Sequence, residues 1–446
     1  MLQLCKGDGR VIKIIQNNKP NLAGDYRLSS FVYIQPCEDG SLIKNTLTGQ
    51  IYLLTSDEYI ALQGVDLSFP EVLQLVTYRF LVEKNFDELA QYLLVLNVLR
   101  TMYKTTPGIS TYTVLPTTAC NARCVYCYED GWQSKTMTKE TADKVVDFVC
   151  RTKQDGKIRL SWFGGEPLCG AHLISYICRS LKDREVDFES SIITNGTILT
   201  PELAREAVDL WGLKHAQISM DGAREDYEAR KCYPQPELYN YDRAMDAAKL
   251  FSDLGIDVTL RCNYDEENLP RVRAFLDDCH ARFQGRSNIN IYLEQLFQSA
   301  SIGSSSSICL EAEKMLQYAQ DIHLFHPASP SGKLKLYYCM ADSNRKSIII
   351  DPGGGLHFCE CKIDGEPFGT IFDDTLPSVP AEHTQVAEIC KACTFLPDCT
   401  PFRKTACSLK SSSCKTMMEL RTSRELEALR CGAVEDETIE KGCDCP

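Results

Sequence analysis

The chain has 446 residues, of which 44% are apolar and 24% are charged, as in ordinary globular proteins. Its net charge of −13 argues against a nucleic-acid partner, because contacts with phosphate groups need a basic surface. No apolar run of about 18 residues occurs, and residues 1–20 lack the apolar centre of a signal peptide. We therefore expect a cytoplasmic protein without membrane contact.

Cysteine is the residue type that departs from average composition, with 23 copies. In a long chain without a signal peptide, metal ligation explains such a number better than disulfides do. Nine cysteines lie between Cys339 and Cys431, and Cys443 and Cys445 follow near the end of the sequence. This distribution predicts a metal-rich C-terminal module.

Residues 1–104 combine short β-type stretches with a clear amphipathic helix. The β-type stretches cover residues 31–35, 41–45 and 50–54, and leucine and valine recur at helical spacing across residues 86–102. Strands followed by helices of this size predict a winged-helix-like domain. A linker that begins near residue 105 joins it to the rest of the chain.

Residues 105–300 alternate between strand and helix patterns. Strands are predicted at residues 112–115, 158–163, 188–194, 215–220, 257–263 and 290–293, and helices between them include residues 139–151, 201–210 and 241–254. Such alternation gives a parallel sheet with right-handed crossovers. Six units are too few for an ordinary eight-stranded barrel. We expect an α/β fold with a partial (β/α)6 barrel and ligands at the carboxyl ends of its strands.

The most informative motif follows the first of these strands. Cys120, Cys124 and Cys127 have the spacing Cys-x3-Cys-x2-Cys. A four-iron cluster needs four ligands, which are usually thiolates, so a loop with three of them leaves one iron open for chemistry. A zinc site completed by a distant histidine is the alternative.

Glycine-rich or polar segments also stand at the ends of the next strands. Paired glycines let the backbone pass close to a ligand, and an arginine offers a planar fork of donors to a carboxylate. Taken singly, these groups are equally well explained as caps of strand-to-helix turns. In chain order the candidates are Gly164, Gly165, Glu166, Asn195, Ser219 and Arg261.

Together, the three-cysteine loop and the segments Gly-Gly-Glu-Pro, Thr-Asn-Gly and Ser-Met-Asp-Gly resemble the radical S-adenosylmethionine (SAM) enzymes over roughly residues 111–297. The resemblance implies a [4Fe-4S] cluster whose open iron binds SAM and whose electron splits it to a 5′-deoxyadenosyl radical. It also implies that Tyr126 lies against the adenine and that the paired glycines contact the methionine moiety. The strand-end residues, among them Ser219 and Arg261, would contact the rest of the cofactor.

The C-terminal cysteines resemble the SPASM domain, which holds auxiliary clusters in peptide-modifying radical SAM enzymes. Residues 301–336 would form a connection and residues 337–446 this domain. By analogy, one auxiliary cluster would be held by Cys390, Cys393, Cys399 and Cys414, and the other by Cys339, Cys359 and Cys407. The sequence departs from the pattern at Arg403, where the family has a cysteine.

The second of these clusters has three assigned ligands. Cys361 is a candidate for the fourth position, or the iron stays open to bind a substrate thiolate. A zinc ribbon is the alternative interpretation of Cys390 and Cys393. Cys431, Cys443 and Cys445 have no assigned role.

The N-terminal domain resembles the peptide-recognition element of maturases that act on ribosomally made peptides, although a purely structural cap is an alternative. The resemblances imply a peptide maturase that builds thioether crosslinks, as sactipeptide and ranthipeptide synthases do. Its partners would be a cysteine-containing precursor peptide with a leader and an electron donor such as flavodoxin or ferredoxin. The leader would add to an exposed strand edge.

Three alternatives remain open. A sulfatase-type maturase would oxidise Cys or Ser to formylglycine; those enzymes place an aspartate base at the position of Glu360, which is therefore a candidate catalytic residue. A carbon–carbon or carbon–oxygen crosslinking enzyme is the second. The third is non-enzymatic, either a multi-cluster electron carrier or a zinc-stapled binding protein.

Overall fold

The computed structural model describes residues 3–5, 11–13, 20–21, 23–105, 108–127, 129, 131, 133–296, 306–325, 346–360, 363–375, 388–398 and 418–427. The chain divides into two compact units. The first comprises residues 1–105, 327–338 and 383–446, and the second comprises residues 106–326 and 339–382. Among the described helices, none has the length and apolar character that crossing a membrane requires.

The second unit is built on a nine-stranded sheet. Six neighbouring strands are parallel and follow one another in chain order, which confirms the prediction of an α/β fold with six β/α units. They are β8 (Thr111–Val114), β9 (Ile158–Trp162), β10 (Phe188–Thr194), β11 (Leu213–Met220), β12 (Asp257–Tyr264) and β13 (Ile289–Gln295). Within the described residues the sheet stays open.

Helices connect these strands and cover one face of the sheet. Each has an apolar face at helical spacing, and most begin with a polar cap; Thr138 and Thr200, for example, accept backbone N–H groups of the first turn. The helices are α4 (Lys139–Thr152), α5 (Ala171–Asp183), α6 (Pro201–Asp209), α7 (Arg224–Lys231), α8 (Tyr241–Asp253) and α9 (Val272–Phe283), followed by Ser306–Asp321. Short 3-10 turns lie at Pro167–Gly170 and Leu269–Arg271.

Three short strands extend the sheet beyond β8. Strand β14 (Ser347–Ile350) runs parallel to β8, and β15 (Gly355–His357) and β16 (Gly369–Thr370) follow in antiparallel order. The turn between β14 and β15 is held by Asp351, which accepts backbone N–H groups of the turn and pairs with His357 at 2.8 Å. The hairpin therefore carries the chain to Cys359 and Glu360 within this unit.

Within residues 1–105, the described part of the first unit contains antiparallel strands and three helices. Its assignment as a winged-helix-like domain stays a prediction. Strands β4 (Val32–Cys37), β5 (Gly40–Asn45) and β6 (Ile51–Leu54) form a sheet in that order. The further strands are β1 (Gln3–Cys5), β2 (Val11–Lys13), β3 (Tyr26–Leu28) and β7 (Leu81–Glu83), and the helices are α1 (Ser56–Gly64), α2 (Pro70–Thr77) and α3 (Glu88–Thr105).

Segments from the C-terminal part of the chain complete this unit. Helix α3 shares an apolar cluster with Leu396 and Cys390, which also includes Phe31 and Tyr92. Thr46 donates its hydroxyl hydrogen bond to the carbonyl oxygen of residue 394 at 2.5 Å. The cysteine-bearing segment 388–398 is thus packed into the same core as the N-terminal strands and helix.

One buried ammonium group reinforces this packing. Lys44 on β5 is 5% exposed and pairs with Asp398 at 3.0 Å and with Glu425 at 3.1 Å. Burial alone would lower the pKa of Lys44, yet the two carboxylates together raise it. The lysine therefore stays charged and links three segments that are distant in sequence.

We predict that Lys44→Met lowers the free energy of unfolding of the first unit by about 2 kcal/mol, since it leaves two half-buried carboxylates without their cation. Denaturant unfolding followed by circular dichroism would measure the loss. Lys84→Met is the matched control, because Lys84 and its partner Asp25 are both exposed and such pairs contribute about 0.5 kcal/mol. Equal losses in the two variants would contradict the role given to Lys44.

Candidate active site

The three-cysteine loop begins six residues after β8, at the carboxyl edge of the parallel strands. Cys120, Cys124 and Cys127 are all half-buried. The amide of Cys127 donates to the carbonyl of Cys124 at 3.0 Å, which turns the chain between these two thiols. The loop is also tied to the end of α7, because the amides of Arg123 and Val125 donate to carbonyl oxygens of that helix at 2.9 and 3.0 Å.

The loop thiols lie in an environment that disfavours their free ionised form. Burial and then the negative charge of Glu166 raise the pKa of Cys120 to about 12. Burial also raises the pKa of Cys124, where the nearby Lys231 acts in the opposite direction. Thiolates form when metal displaces their protons, so these groups ionise on loading with metal.

The donor set fits an iron–sulfur cluster with one open corner, since three thiols come from a single short loop. The thiolates of such a cluster bind different iron atoms and stand farther apart than the ligands of one ion. Among the described residues, no group of three or more His, Cys, Asp or Glu side chains is placed to hold a metal ion. Cys120, Cys124 and Cys127 would hold the cluster.

The paired glycines after β9 lie against the backbone that leads into the cysteine loop. Gly164 has a φ of +131°, in the region that side chains avoid, and a Cβ there would overlap the carbonyl oxygen of Thr117. A Cβ at Gly165 would meet the carbonyl oxygens of Thr118 and Ala119. The space near these glycines is therefore occupied by the backbone that leads into the cysteine loop.

Glu166 ties this turn to the end of β10. The carboxylate is 1% exposed and accepts the hydroxyl of Thr194 at 2.6 Å, the amide of Asn195 at 2.7 Å and the amide of Leu168 at 3.0 Å. Burial raises its pKa, although the hydrogen bonds act against that rise. Glu166 thus holds the turn after β9 and the end of β10 together.

Asn195 continues the same network into the cysteine loop. Its side-chain amide donates to Asn121 at 2.8 Å, and Asn121 in turn donates to Thr197 at 3.0 Å. The hydroxyl and the backbone amide of Thr197 both donate hydrogen bonds to the side-chain oxygen of Asn195. Asn121 and Thr197 were not among the sequence candidates, and nothing in their residue types marks them out.

A buried ion pair holds the other side of the loop. Tyr126 donates its hydroxyl hydrogen bond to Asp221 at 2.5 Å, and the ammonium of Lys231 donates to the tyrosine oxygen at 3.1 Å. Lys231 and Asp221 are 3.2 Å apart and are 3% and 0% exposed. Asn263 at the end of β12 also donates to Asp221, at 3.2 Å.

A cavity of about 400 Å³ lies beside Tyr126. Its other walls are the exposed Val125, residues of α7, and residues that follow β12 and β13, including Leu296. Arg230 in this wall is 6% exposed and pairs with Asp265 at 2.6 Å. The cavity is therefore placed where the carboxyl ends of two strands meet the cysteine loop.

The sheet face opposite the helices is polar and half-buried. Ser219, Arg261 and Tyr292 are register partners on β11, β12 and β13, and they form one row across this face. Tyr292 donates to Gln217 of β11 at 3.1 Å. The Nε atom of Arg261 is buried without a hydrogen-bond partner among the described residues, so this row can accept an oxygen-bearing ligand.

Glu360 lies near this row, a proximity that sequence reasoning did not predict. Burial raises the pKa of Glu360, and the positive charge of Arg261 acts in the opposite direction. The charge of Glu360 also adds to the effects that raise the pKa of Tyr292. The structure thus brings together Glu360, Arg261 and Tyr292 at the polar face.

The described auxiliary-cluster candidates are separated between the two units. Cys359 belongs to the second unit, and Cys390 and Cys393 belong to the first, where they stand in one turn. Other cysteines fall outside the described residues, namely Cys339, Cys361, Cys399, Cys407, Cys414, Cys431, Cys443 and Cys445.

The cysteines of the second unit that lie outside the three-cysteine loop differ in exposure. Cys178, Cys262 and Cys279 are buried, whereas Cys169 and Cys232 are exposed. Cys169 follows the Gly-Gly-Glu-Pro turn and accepts a backbone hydrogen bond from Asn121 of the cysteine loop. Its position three residues after Glu166 was the signal that could have placed it there.

Comparison with known families identifies the middle of the chain. Residues 114–279 match the Radical SAM superfamily. The matched segment contains the cysteine loop, the glycine turn and strands β9 to β12. This segment is therefore similar to the Radical SAM superfamily, a family that implies a [4Fe-4S] cluster and SAM as cofactors.

Curated relatives match about a quarter of the chain. An uncharacterized protein of Methanocaldococcus jannaschii is 32% identical over 108 residues, which are 24% of this chain and 36% of that protein. A probable GTP 3′,8-cyclase of Methanothermobacter thermautotrophicus is 36% identical over 107 residues, which are 23% of this chain and 32% of that protein. The chain spans about a third of the length of these relatives.

Solved structures resemble a larger part of the chain. The protein anSMEcpe with bound AdoMet and Cp18Cys peptide has a TM-score of 0.55 at 15% identity, and the match covers 74% of this chain and 100% of that chain. SuiB of Streptococcus suis bound to precursor peptide SuiA has a TM-score of 0.50 at 14% identity, with coverage of 87% and 100%. At these identities the likeness shows a shared fold.

We predict that Gly164→Ala prevents correct formation of the cysteine loop, because its Cβ would overlap a backbone oxygen that cannot rotate away. The iron bound after anaerobic reconstitution should fall by about four atoms per chain, the content of one [4Fe-4S] cluster. Gly156→Ala is the control, since Gly156 also has a positive φ, of +79°, but has no atom within 4 Å of the added Cβ. Strain alone costs about 1 kcal/mol there, so normal iron content is expected.

A similar loss of iron in both variants would show that positive φ, and not contact with the loop, accounts for the effect.

Proposed function

We propose that this chain is a radical SAM maturase that forms thioether crosslinks from cysteine residues of a ribosomally made precursor peptide. The observation that carries the proposal is the three-thiol loop at the carboxyl edge of the parallel strands, packed against the glycine turn, on a sheet that also carries a polar, half-buried surface. Such a surface in a largely parallel sheet calls for a ligand, because both faces of such sheets are usually covered by apolar contacts.

The SAM site is assigned to residues around the loop. The cluster, when bound, supplies the electron that splits SAM to a radical able to remove hydrogen from an unactivated carbon. Tyr126 would contact the adenine in the adjoining cavity, and the turn with Gly164 and Gly165 would lie by the methionine moiety. Ser219 is assigned to the ribose or carboxylate. Asn195 is assigned to orienting the loop through Asn121, which supports its predicted place near the cofactor.

The peptide substrate is assigned to the polar face beyond SAM. Arg261 and Gln217 each have a buried side-chain nitrogen that lacks an acceptor among the described residues. Peptide carbonyl groups are suitable acceptors, and a buried donor without one costs about 1–3 kcal/mol. This supports a peptide at the row Ser219–Arg261–Tyr292 and assigns Arg261 to the peptide as well as to a SAM carboxylate.

The leader of the precursor is assigned to the edge of β6. This strand is hydrogen-bonded to β5 as its one neighbour among the described residues, and Leu53 on it is 51% exposed. Ile60 on the following helix α1 is 64% exposed. An extended peptide can add main-chain hydrogen bonds to such an edge and cover both apolar side chains. On β4, at the opposite edge, Tyr33 already contacts Phe395.

Two auxiliary clusters would take up the electron that crosslinking releases. The S–C bond forms as one hydrogen atom passes to 5′-deoxyadenosine, the thiol proton leaves, and one electron goes to an acceptor. Cys390 and Cys393 stand in one turn, which suits two ligands of a shared cluster. Cys359 would belong to the other cluster. A flavodoxin or ferredoxin would supply the electrons that reduce the first cluster.

A formylglycine-forming maturase is the second candidate, and the position of Glu360 favours it. The carboxylate is half-buried near Arg261 and Tyr292, and burial raises its pKa, which makes it a stronger proton acceptor than an exposed glutamate. In a thioether synthase the same carboxylate would orient Arg261. The two functions differ in product, so mass spectrometry separates them.

We predict that reduced enzyme, SAM and a cysteine-containing precursor give a peptide lighter by two hydrogens for each crosslink, with 5′-deoxyadenosine formed in step. After alkylation, the crosslinked cysteine should carry no alkyl group, because its sulfur is bonded to carbon. Cys124→Ala should abolish both products. An aldehyde-bearing peptide, lost in Glu360→Gln, would contradict the thioether proposal and support the second candidate.

We predict that Leu53→Glu weakens binding of the precursor at least tenfold, because it removes apolar contact worth about 1.5–3 kcal/mol at full burial and adds a charge. Fluorescence anisotropy with a labelled leader would measure Kd. Leu94→Glu is the matched control, since Leu94 on α3 is similarly exposed at 59% and lies on no strand edge. An unchanged Kd in Leu53→Glu would contradict binding of the leader at the edge of β6.

A further inference from the structure

We propose that Lys231 is a positioning residue that raises the reduction potential of the cluster held by the three-cysteine loop, with Asp221 as its opposing charge. The inference rests on the proposed function, because it requires the cluster. It concerns residues of this chain that the cofactor assignment leaves unused. Sequence patterns do not reveal it, since Lys231 ends a strongly charged helix.

The first argument is the cost of placing this ammonium where it is. Lys231 is 3% exposed, although lysine is seldom buried to this degree unless it is paired. Its ammonium lies 3.2 Å from Asp221 and 3.1 Å from the oxygen of Tyr126, and 5.7 Å from the centre of the Tyr126 ring. The charge is thus fixed in place against the loop residue between Cys124 and Cys127.

The second argument is the attachment of the loop to the same short segment of helix. The amide of Arg123 donates to the backbone carbonyl of Lys231 at 2.9 Å, and the amide of Val125 donates to that of Arg230 at 3.0 Å. These bonds flank Cys124 on both sides. Lys231 and Cys124 are therefore held in a fixed relation by backbone contacts as well as by side chains.

The third argument is the sign of the charge. The Lys231 ammonium lies against Tyr126, which stands between Cys124 and Cys127 in the loop. Reduction adds one electron, without any bond being formed or broken, to a cluster that already carries negative thiolates. A fixed positive charge stabilises that reduced state and raises the potential.

A purely structural role for the pair makes a different prediction. If Lys231 and Asp221 served only to hold the loop, removal of either would disturb the cluster in the same way. If they act by charge, Lys231→Met lowers the potential and Asp221→Asn does not. The neutral pair Lys231→Met with Asp221→Asn removes both charges and avoids leaving one buried charge without its partner.

The experiment is a potentiometric titration of the anaerobically reconstituted full chain with dithionite, monitored by the electron paramagnetic resonance signal of the SAM-binding cluster. To isolate that signal, all variants carry Cys359→Ala, Cys390→Ala and Cys393→Ala. Lys249→Met is the control, because Lys249 is an exposed lysine paired with Asp253 on α8.

At a fixed solution potential, the ratio of reduced to oxidised cluster should be tenfold lower in Lys231→Met than in the parent. This change corresponds to a reduction potential that is lower by about 59 mV for one electron. The potential of Asp221→Asn should lie at or above that of the parent. The reduction potential of the double variant should lie above that of Lys231→Met. The reduction potential of Lys249→Met should equal that of the parent.

Equal potentials in Lys231→Met and the parent, or lowered potentials in both single variants, would overturn the proposal. If Lys231→Met takes up no iron, the double variant is compared with Asp221→Asn instead. The reduction potential of the double variant must then lie at least about 59 mV below that of Asp221→Asn. A smaller difference overturns the inference. A parent that binds iron but shows no spectral change with SAM would instead refute the proposed function.

Discussion

The candidate site depends on one steric constraint, the close approach of two backbones at the carboxyl edge of β8 and β9. The turn with Gly164 and Gly165 lies directly against residues 117–119, and a side chain at either glycine would occupy the space of a carbonyl oxygen. This contact fixes where the chain enters the cysteine loop. Since three thiols must converge from eight residues of loop, the position of its first residues decides whether they can meet at all.

Buried polar groups then hold the loop from both sides. On one side, Glu166 and Asn195 connect the ends of β9 and β10 to Asn121; on the other, Asp221 and Lys231 connect the end of β11 and helix α7 to Tyr126. Each group is well supplied with partners, which is the condition under which burial of charge is tolerated. Separate strands therefore each anchor a different part of the loop. The cysteine loop is thus coupled to the ends of several strands of the parallel sheet.

Much of this architecture could be predicted from the sequence, because strands and helices alternate with clear periods and the cysteine spacing is specific. The strands β8 to β13 were confirmed, with boundaries shifted by up to two residues. Lys231 and Lys44 could not be found in this way, since a lysine in a charged helix or on a strand is usually exposed and its burial depends on distant partners. Strands β14 to β16 were missed because they are short and lack a repeating pattern. The proximity of Glu360 to Arg261 likewise depends on pairing between β14 and β8, which local sequence does not encode.

The sharing of one apolar cluster by Phe31, Tyr92 and Cys390 has a thermodynamic consequence. A ligand that binds the native form of a cooperative unit and not its unfolded form stabilises every part of that unit. Metal bound through Cys390 and Cys393 would therefore raise the melting temperature of strands that lie more than three hundred residues earlier in the sequence. Oxidative loss of that metal would in turn cause partial unfolding of the N-terminal sheet. Maturation of the protein and its ability to recognise a partner would then be a single linked equilibrium.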